Sequence, residues 1–566
     1  MATQSQLARR LAVARGDEPA DVVVRGGRVL SVFTREWLDV DVAIADGWIA
    51  GLGEYDGDEV VDAAGGYVVP GFIDAHVHLE SSKLLPDEFA RLVLPLGTTA
   101  VVADPHEIAN VLGTDGVHWL LDASADSPLD VYFTASSSVP ASVYESPRRA
   151  LTEGDLEALL RRRRVLGVAE MMNFPGVIAG DAAELAKIAL ADHVDGHAPG
   201  VRGRELQAYA AAGVRSDHEA STVEEGRERL RAGMWLLIRE ASAARNLEAL
   251  APLAIEYGPE RMAFCTDDRE PEHIAADGHV NAIVRDAVAL GVPAETALVL
   301  ASHNPALYHG LATLGAVAPA RQADLLLLRD LETFVPELVL KRGRRVDEIP
   351  PATVPDWVKH TVRIGALGPE VFRIPWQGGR ARVIGLVPGQ IITEALVDEP
   401  SQRGGEALAD PERDLAKVAV IERHLGTGRI GLGFVRGFGL RRGALGSTLS
   451  HDAHNAVIVG ADDTSMAYAV RRLANIGGGI VVVDGARVLA ELPLPVAGIL
   501  SDAPLEEVVA ASEAVVAAAL ELGCAIDAPF QSLAFLALSV IPALKITDRG
   551  LVDVERFELV PLQVAE

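Results

Sequence analysis

Two histidines one residue apart follow an apolar run near residue 70, and this spacing suits metal binding. Residues 68–73 (VVPGFI) lead into DAHVH, which contains His76 and His78. In a β-strand, residues i and i+2 point to the same side, so the two imidazoles face together. Neutral imidazoles are good ligands for a divalent transition metal. Two hydrogen-bonded core histidines explain the pair equally well, so the metal interpretation depends on ligands elsewhere.

Four later apolar runs also end in a side chain that binds metals. They are LGVAEMM with Glu170, HVDGHA with His197, VRSDHE with His218, and MAFCTDD with Asp267. Each residue alone is more often structural. Together with the histidine pair they supply enough N and O ligands for two ions about 3.5–4 Å apart, and a carboxylate is needed to bridge such ions. We predict a metal pair bridged by Glu170.

The elements that position these side chains are predicted from a change in the pattern of residue types at residue 71. From there to about residue 330, apolar runs alternate with Ala/Leu/Glu-rich helical stretches, and 11 of the 15 histidines lie in this part. Eight strand-like runs with helices between them are typical of a (β/α)8 barrel, whose active site lies at the carboxyl ends of the strands. The predicted strands are GFIDAHVH, TTAVVAD, VYFTAS, LGVAEMM, HVDGHA, VRSDHE, MWLLIRE and MAFCTDD.

The remaining chain is predicted to form two further units, which makes the protein an α/β protein with a TIM-type barrel at its centre. Residues 1–70 contain short strand-like runs with glycine turns, and residues 323–365 again contain strand-like runs. Together the two segments should form a small β-sandwich beside the barrel. The barrel itself should cover residues 71–322. A proline-rich connection at 348–357 precedes a mixed α/β domain, residues 366–566, which we expect to close over the active site.

Composition excludes several classes of partner. The net charge of −29 argues against nucleic acid and against an anionic membrane face. The two long uncharged runs, 296–320 and 528–544, contain prolines and suit buried helices better than membrane spans. The only cysteines, Cys265 and Cys524, imply no disulfide framework, and the N-terminus lacks a signal-peptide core, so we expect a cytoplasmic protein. Homo-oligomers remain open, since no pattern marks an interface.

The ligand order resembles that of the amidohydrolase superfamily over residues 20–345. Supporting stretches are PGFIDAHVH, NPA at 304–306 and LGAVAPARQADLLLL at 314–328, in which Ala320 stands where glycine is commoner. Many members bridge their metals with a carbamylated lysine, whereas here Glu170 supplies the carboxylate directly. The resemblance implies that all six ligands hold a metal pair.

A closer resemblance, over almost the whole chain, is to the bacterial and archaeal adenine deaminases. A departure is Glu270, where a histidine is expected before Pro271. The carrying stretches are HVHLESSKLLPDEFARLVLPLGTTAVVADPHEIANVLG (76–113), AEMMNFPGVI (169–178), DGHAPG (195–200), SDHE (216–219), CTDD (265–268) and GFGLRRGALGSTLSHDAHNAVIVG (437–460).

The resemblance implies that adenine and water give hypoxanthine and ammonia, a step of purine salvage. A metal pair would provide hydroxide to attack C6 of the purine. Asp267 would carry the proton of that hydroxide to the leaving amine, because ammonia leaves poorly unless protonated. Glu219, beside His218, and Glu80, two residues beyond His78 on the same strand face, are candidates for protonating the ring. Solvated or ion-paired carboxylates explain both equally well.

Two further groups are predicted at the rim of the barrel. DPHE, residues 104–107, follows the second strand, so His106 and Glu107 could contact substrate or a further ion. Alternatively this stretch is a helix start, with Asp104 as the cap and a proline in the first turn. Arg239 ends the seventh strand and should either orient a ring acceptor or pair with a carboxylate, of which we favour the pair.

A polar cluster outside the barrel, SHDAHN at residues 450–455, is the most specific feature of the C-terminal region. His451, Asp452 and His454 have metal-ligand spacing, and the resemblance implies a role in the active site, either towards substrate or towards a supplementary metal. The alternative is a turn held by internal hydrogen bonds, because Asp and Asn are turn residues.

Alternatives remain for both metal and reaction. Histidine and carboxylate ligands without cysteine suit Zn, Fe, Mn or Co, and the resemblance implies Mn(II) or Fe(II). Another hydrolase on the same scaffold, acting on a cyclic amide or an acyl-amino acid, would use the same ligands. A non-catalytic scaffold is the remote alternative, since such relatives usually lose ligands. The zinc deaminases that act on cytosine need a CxxC motif, which this chain lacks.

Overall fold

Eight parallel strands form the barrel predicted for the middle of the chain. The computed structural model describes residues 3–526 and 528–564. The strands pair in chain order as a run of five and a run of three. Val77 bridges Asp267, which closes the barrel beside the predicted ligands. The strands are Phe72–Val77, Thr98–Ala103, Asp130–Ala135, Val165–Met171, Val194–Gly196, Ser216–Asp217, Trp235–Arg239 and Met262–Cys265.

Helices cover the outside of the barrel, so its strands are buried on both faces. All six residues of Phe72–Val77 are buried, as expected for a parallel strand between a barrel interior and a helical layer. Capping boxes begin two of the helices, at Thr152 and at Thr222. The helices are Pro86–Val93, His106–Leu112, Thr114–Ala123, Glu153–Leu160, Phe174–Ala179, Ala182–Ile188, Gly203–Ala211, Val223–Arg231, Leu247–Tyr257, Pro271–Asp277, Val280–Ala289, Ala294–Leu300 and His303–Tyr308.

Two sheets beside the barrel enclose a common apolar core. Leu325–Leu328 returns from the barrel and pairs antiparallel with Tyr67–Pro70, which joins the two distant parts of the chain in one sheet. The six-stranded sheet contains Arg344–Arg345, Pro336–Lys341, Leu325–Leu328, Tyr67–Pro70, Arg28–Ser31 and Glu36–Asp39. The four-stranded sheet contains Trp48–Gly53, Asp41–Ala45, Ala20–Arg25 and Gly57–Asp62, and a helix, Gln4–Arg15, packs against it.

The turn before this return explains one feature of the sequence. Ala320 has a φ of 65°, a left-handed conformation that glycine adopts without strain. Its N–H donates to the carbonyl of Ile49 at 3.0 Å, so the turn is tied to the four-stranded sheet. Alanine therefore occupies a position that favours glycine, and the change stays far from the predicted ligands.

The C-terminal region forms a mixed α/β unit around one large sheet. Its strands in spatial order are Thr393–Asp398, Ala381–Leu386, Ile430–Arg436, Ala416–Ile421, Ala456–Gly460, Ala444–Ser447, Gly479–Asp484 and Arg487–Pro493. Three helices, Asp463–Ile476, Leu505–Glu521 and Pro529–Ala534, pack around it, and a small sheet contains Leu544–Thr547, Gly550–Asp553 and Glu558–Val560. We propose domain boundaries at residues 70, 322 and 365, as the sequence predicts.

Of the buried helix predicted in the uncharged run 528–544, only the first part is helical. Pro529–Ala534 is an α-helix, and the chain then passes through a short 3-10 turn, Phe535–Ala537, towards the strand Leu544–Thr547. Throughout the part of the chain that the structure describes, no helix combines the length and the apolar character needed to cross a membrane.

Candidate metal centre

The six predicted ligands meet at the carboxyl end of the barrel. His76 and His78 leave the first strand on the same side, with their Nε2 atoms 3.3 Å apart. The ring of His76 stacks on that of His218, 4.5 Å between centroids. Oδ1 of Asp267 lies 3.4 Å from His76 Nε2 and 3.1 Å from His78 Nε2. Side chains from five of the eight strands, or the residues that directly follow them, therefore face one point.

Glu170 has the geometry of a bridging carboxylate. Its Oε1 faces the histidines of the first strand, 3.6 Å from His76 Nε2 and 3.3 Å from His78 Nε2. Its Oε2 faces the opposite pair, 2.9 Å from His197 Nδ1 and 3.3 Å from His218 Nε2. Burial raises the pKa of Glu170, but the surrounding imidazoles hold it well below its usual range, so the group is a carboxylate. Each oxygen can thus serve a different ion.

Unpaired polar atoms show that these residues suit a metal. Oε1 of Glu170 and Nε2 of His197 have no hydrogen-bond partner among the described residues, although both are buried. Leaving buried polar atoms unpaired costs free energy, which metal ligation would offset. The ligand atoms of His76, His78 and Glu170 lie within 4.8 Å of one another, and so do those of Glu170, His197 and His218. The donor set fits a divalent metal site.

Arg239 pairs with carboxylates, which is the alternative that we favoured. Its guanidinium donates to both oxygens of Glu219, at 3.0 Å for Oε2, and to Oδ2 of Asp267 at 3.0 Å. Burial raises the pKa of Asp267, but Arg239 and the nearby imidazoles hold it well below its usual range. Asp267 therefore directs one oxygen at the ligands and has the other fixed by Arg239.

The DPHE motif starts a helix, as one alternative predicted, but Asp104 does not cap it, and His106 lies against the predicted ligands. The helix begins at His106, and Asp104 makes no capping hydrogen bond. Instead Asp104 Oδ2 lies 3.0 Å from His106 Nδ1, and Oδ1 accepts from Ser136 at 2.8 Å. The ring of His106 lies 4.5 Å from that of His78, and its Nδ1 is 3.6 Å from Glu170 Oε1. The motif therefore places His106 against the ligands.

The SHDAHN loop lies over the barrel mouth and contacts this motif. His451 Nδ1 is 3.1 Å from Glu107 Oε1, Asp452 Oδ1 is 3.4 Å from His106 Nε2, and His454 Nε2 is 3.8 Å from Glu107 Oε2. The ligand atoms of His106, His451 and Asp452 lie within 4.8 Å of one another, a spacing that serves a substrate edge or a supplementary ion. His451 and Asp452 border the site cavity.

Glu80 does not occupy the position predicted for it. The first strand ends at Val77, and Glu80 lies in a 3-10 turn, Leu79–Ser82, so it does not continue the face of His78. Its Oε1 accepts the N–H of Ile108 at 3.1 Å, and it does not border the site cavity. Burial and the neighbouring Glu107 raise the pKa of Glu80 to about 8. Glu219, by contrast, borders the cavity beside His197 and His218.

The unusual Glu270 has a partner of opposite charge. Nζ of Lys83 donates to Glu270 Oε1 at 2.9 Å, and both side chains are buried. The pair joins the loop after the eighth strand to the turn after the first strand. The departure from the family pattern is therefore compensated locally, within reach of the site but outside its lining.

Sequence reasoning missed an apolar wall that closes the cavity. Met172 comes from the end of the fourth strand, and the other wall residues come from the C-terminal region: Ile391, Phe535, Leu538 and Ile541. The ring of Phe535 stacks on His451 with 4.6 Å between centroids. These residues show no periodicity or motif that marks a site. Only their shared position in space identifies them.

Comparisons with known proteins agree with this geometry. A model of the Amidohydrolase family matches residues 67–346, and a model of the Adenine deaminase C-terminal domain matches residues 390–558. An adenine deaminase of Desulfatibacillum aliphaticivorans is 45% identical over 564 residues, 98% of this chain and 99% of the relative. An adenine deaminase of Methylobacterium nodulans is 48% identical over 562 residues, with the same coverage of 98% and 99%.

The similarity extends to the archaea and includes the C-terminal domain. An adenine deaminase of Archaeoglobus fulgidus is 46% identical over 559 residues, 99% of this chain and 98% of the relative. Because these relatives are 45–48% identical over nearly the whole chain, which includes both matched regions, the chain belongs to the adenine deaminase family of amidohydrolases.

Proposed function

We propose that this protein catalyses the hydrolytic deamination of adenine to hypoxanthine and ammonia, as a step of purine salvage. The C6–N bond of the purine breaks, a C6–O bond forms, and the proton released by water goes to the leaving amine. The observation that most directly supports this proposal is the position of the candidate metal ligands. They lie in the barrel, beneath the apolar wall and the SHDAHN loop of the C-terminal domain. The relatives named adenine deaminase match this chain over nearly its whole length, which includes both matched regions.

Two divalent ions are expected in the site, and Mn(II) or Fe(II) suits it best, with Zn as an alternative. His76, His78 and Asp267 would hold one ion, His197 and His218 the other, and Glu170 both. When bound, such ions supply a water of lowered pKa that acts as nucleophile near neutral pH. The donors are imidazoles and carboxylates without thiolates, which is why several first-row metals fit.

Asp267 is the proposed proton carrier. Arg239 fixes one of its oxygens at 3.0 Å, so the other is held in place beside His76 and His78. A carboxylate oriented in this way accepts a proton from the attacking water and returns it to the amine nitrogen. The pKa of Asp267, well below its usual range, keeps the group ionised in the resting site.

Glu219 is the proposed acid for protonating a ring nitrogen. Of the two candidates from the sequence, only Glu219 borders the cavity. Arg239 holds both of its oxygens, which orients the carboxyl group.

The lining of the cavity supports a flat aromatic base as substrate. Phe535, Leu538 and Ile541 offer apolar contact to a ring face, while His106, His451 and Asp452 offer polar groups for a ring edge. Enclosure of the cavity by two domains favours the free base over a nucleoside. A cyclic amide would need similar ligands, but no observation in this site favours one.

A turnover assay tests the proposal. Purified protein loaded with Mn(II) is given adenine and adenosine separately, and ammonia release is followed. We expect release from adenine alone, with His76→Ala as the inactive control. Absence of release from adenine, with two ions shown to be bound, would refute the proposal and direct the search to cyclic amides and acylated amino acids.

We also infer a cytoplasmic location. Cys265 and Cys524 are both buried and unpaired, which fits a reducing compartment. The substrate is a small molecule, and the net charge of −29 disfavours nucleic acid as a partner. A homo-oligomer is compatible with this function. Fractionation of cells and light scattering of the pure protein test the two points.

A further inference from the structure

The cavity beside the metal ligands is too small for a purine. Its volume is about 20 Å³, space for about one water molecule. The side chains around it are nearly all buried, so a purine cannot enter without displacement of part of the lining. The barrel ligands are fixed by strand pairing and mutual contacts. The part that yields is therefore expected in the apolar wall.

Ile391 and Phe535 separate this cavity from a much larger one. The second cavity has a volume of about 460 Å³ and lies between the barrel loop at Ser242–Arg245 and the C-terminal domain. Ile391 and Phe535 border both cavities. Because they are the partition between them, displacement of these two side chains would connect the metal ligands to a space large enough for a purine.

Lys545 holds both partition residues by their backbones. Its Nζ donates to the carbonyl of Ile391 at 2.8 Å and to the carbonyl of Phe535 at 2.9 Å. The side chain is fully buried and borders the larger cavity. Next to it, the N–H of Thr393 donates to Pro542 and the N–H of Ala543 donates to Thr393. One ammonium group thus connects two segments that are far apart in sequence.

The choice of lysine here is not explained by stability. Burial lowers the pKa of Lys545 to about 7, which means that the charged form is disfavoured where it lies. An apolar side chain of similar volume would avoid this cost. A function that needs two donated hydrogen bonds at this point explains a lysine, since an apolar residue cannot fix two carbonyl groups.

We propose that Ile391 and Phe535 are the part of the apolar wall that yields to admit the purine. Lys545 is then a positioning residue that holds these two residues in their closed arrangement. The inference rests on the proposed function for the identity of the ligand. Lys545 acts through the wall and does not touch the reacting atoms. Its loss should loosen the wall, so that ordering the wall costs free energy each time substrate binds.

Lys545→Met tests the proposal against a matched buried lysine. Lys417 is also buried in the C-terminal domain and donates to the carbonyl of Phe372 at 3.0 Å and to Asp463 at 2.6 Å, but it borders neither cavity. We expect Lys545→Met to raise the KM for adenine about tenfold and to leave kcat within about twofold, as loss of two hydrogen bonds to the wall implies. Lys417→Met should leave KM unchanged.

Hydrogen exchange gives a readout that does not depend on activity. In Lys545→Met, amides near 391–393 and 535–538 should exchange about tenfold faster than in the wild type, whereas Lys417→Met should leave them unaltered. Unchanged exchange and unchanged KM in Lys545→Met would overturn the proposal. If the wild type does not deaminate adenine, the proposed function fails, but the exchange comparison still decides the role of Lys545. If Lys545→Met does not fold, Lys545→Gln is measured in its place. Glutamine keeps a donor group, so its effect on KM and on exchange should be smaller.

Discussion

Nδ1 of His451 lies 3.1 Å from Oε1 of Glu107, and this contact joins the C-terminal domain to the barrel inside the site. Both side chains are buried, and Glu107 belongs to the helix that begins directly after the second barrel strand. Burial by itself would raise the pKa of Glu107. The adjacent His451 has a larger, opposite effect, and the resulting pKa is about 2. A charged Glu107 therefore fixes the histidine that faces the substrate cavity.

Loss of this charge should impair catalysis without unfolding the protein. We expect Glu107→Gln to lower kcat/KM for adenine by about 10- to 100-fold, because an amide cannot orient His451 as a carboxylate does. Steady-state kinetics, together with metal analysis by mass spectrometry, measure the effect. Glu157→Gln, an exposed glutamate paired with Arg161, is the control. A variant with wild-type kcat/KM would show that the contact has no role in the reaction.

Asp267→Asn should abolish turnover in a folded protein. The amide cannot accept the proton of the attacking water, and the loss of one general base costs about 10²–10⁴-fold in rate. Circular dichroism should remain that of the wild type, because Arg239 keeps Glu219 as a partner. Substantial activity in this variant would contradict the assignment of Asp267.

Glu170→Gln tests the bridging role. The wild type should bind two divalent ions per chain, and the variant should bind fewer than two after the same loading and dialysis, since the amide offers one neutral oxygen in place of two charged ones. Removal of metal by a chelator should lower the melting temperature of the wild type, because an ion at 100 times its Kd stabilises the fold by about 2.7 kcal/mol. Two firmly bound ions in the variant would show that Glu170 does not bridge them.

Lys545 should make stability depend on pH in a predictable direction. Its pKa is about 7 in the folded protein and 10.5 in its ordinary state. Between these values the unfolded chain binds more protons than the native one, so the wild type gains up to about 1.4 kcal/mol of stability for each pH unit as pH rises. Below pH 7 the cost of burying the charge is fully present.

The measurement compares denaturant unfolding of the wild type and Lys545→Met at several pH values from 7 to 9.5. The free energy of unfolding of the wild type should rise relative to that of the variant as pH rises. Lys417→Met provides the control for removal of a buried lysine, because Lys417 pairs with Asp463. A difference between the wild type and Lys545→Met that stays constant across the range would show that Lys545 does not titrate as its burial predicts.

A buried ion pair beneath the metal ligands should be essential for stability. Nε of Arg229 donates to Asp217 at 2.7 Å, and both side chains are fully buried. Arg229→Met should lower the free energy of unfolding by about 3–5 kcal/mol, because Asp217 is left as an unpaired buried charge. Arg202→Met, at an exposed pair with Glu228, should cost at most about 1 kcal/mol. Similar losses in the two variants would refute this reasoning.

The order of the barrel strands and the convergence of the six candidate ligands could be predicted from local pattern. Strand residues alternate with a period of two, so His76 and His78 had to share a side, and parallel barrel strands present their carboxyl ends together. Glu80 was placed wrongly because the strand ends at Val77, three residues before Glu80, whereas the alternation was assumed to reach Glu80. Asp104 was a capping candidate by residue type alone, and tertiary contacts with His106 and Ser136 took precedence.

The sequence by itself determined the fold class, the family and the chemistry of the ligands, because periodicity and motif are properties of neighbouring residues. Only the tertiary structure decided what closes the site. Lys545 reaches Ile391 across 154 residues, and Phe535 stacks on His451 although the two lie far apart in the sequence of the same domain. Apolar contacts have no direction and little preference for partner, so no spacing in the chain encodes them, and they become visible only when the packed domains bring those side chains together.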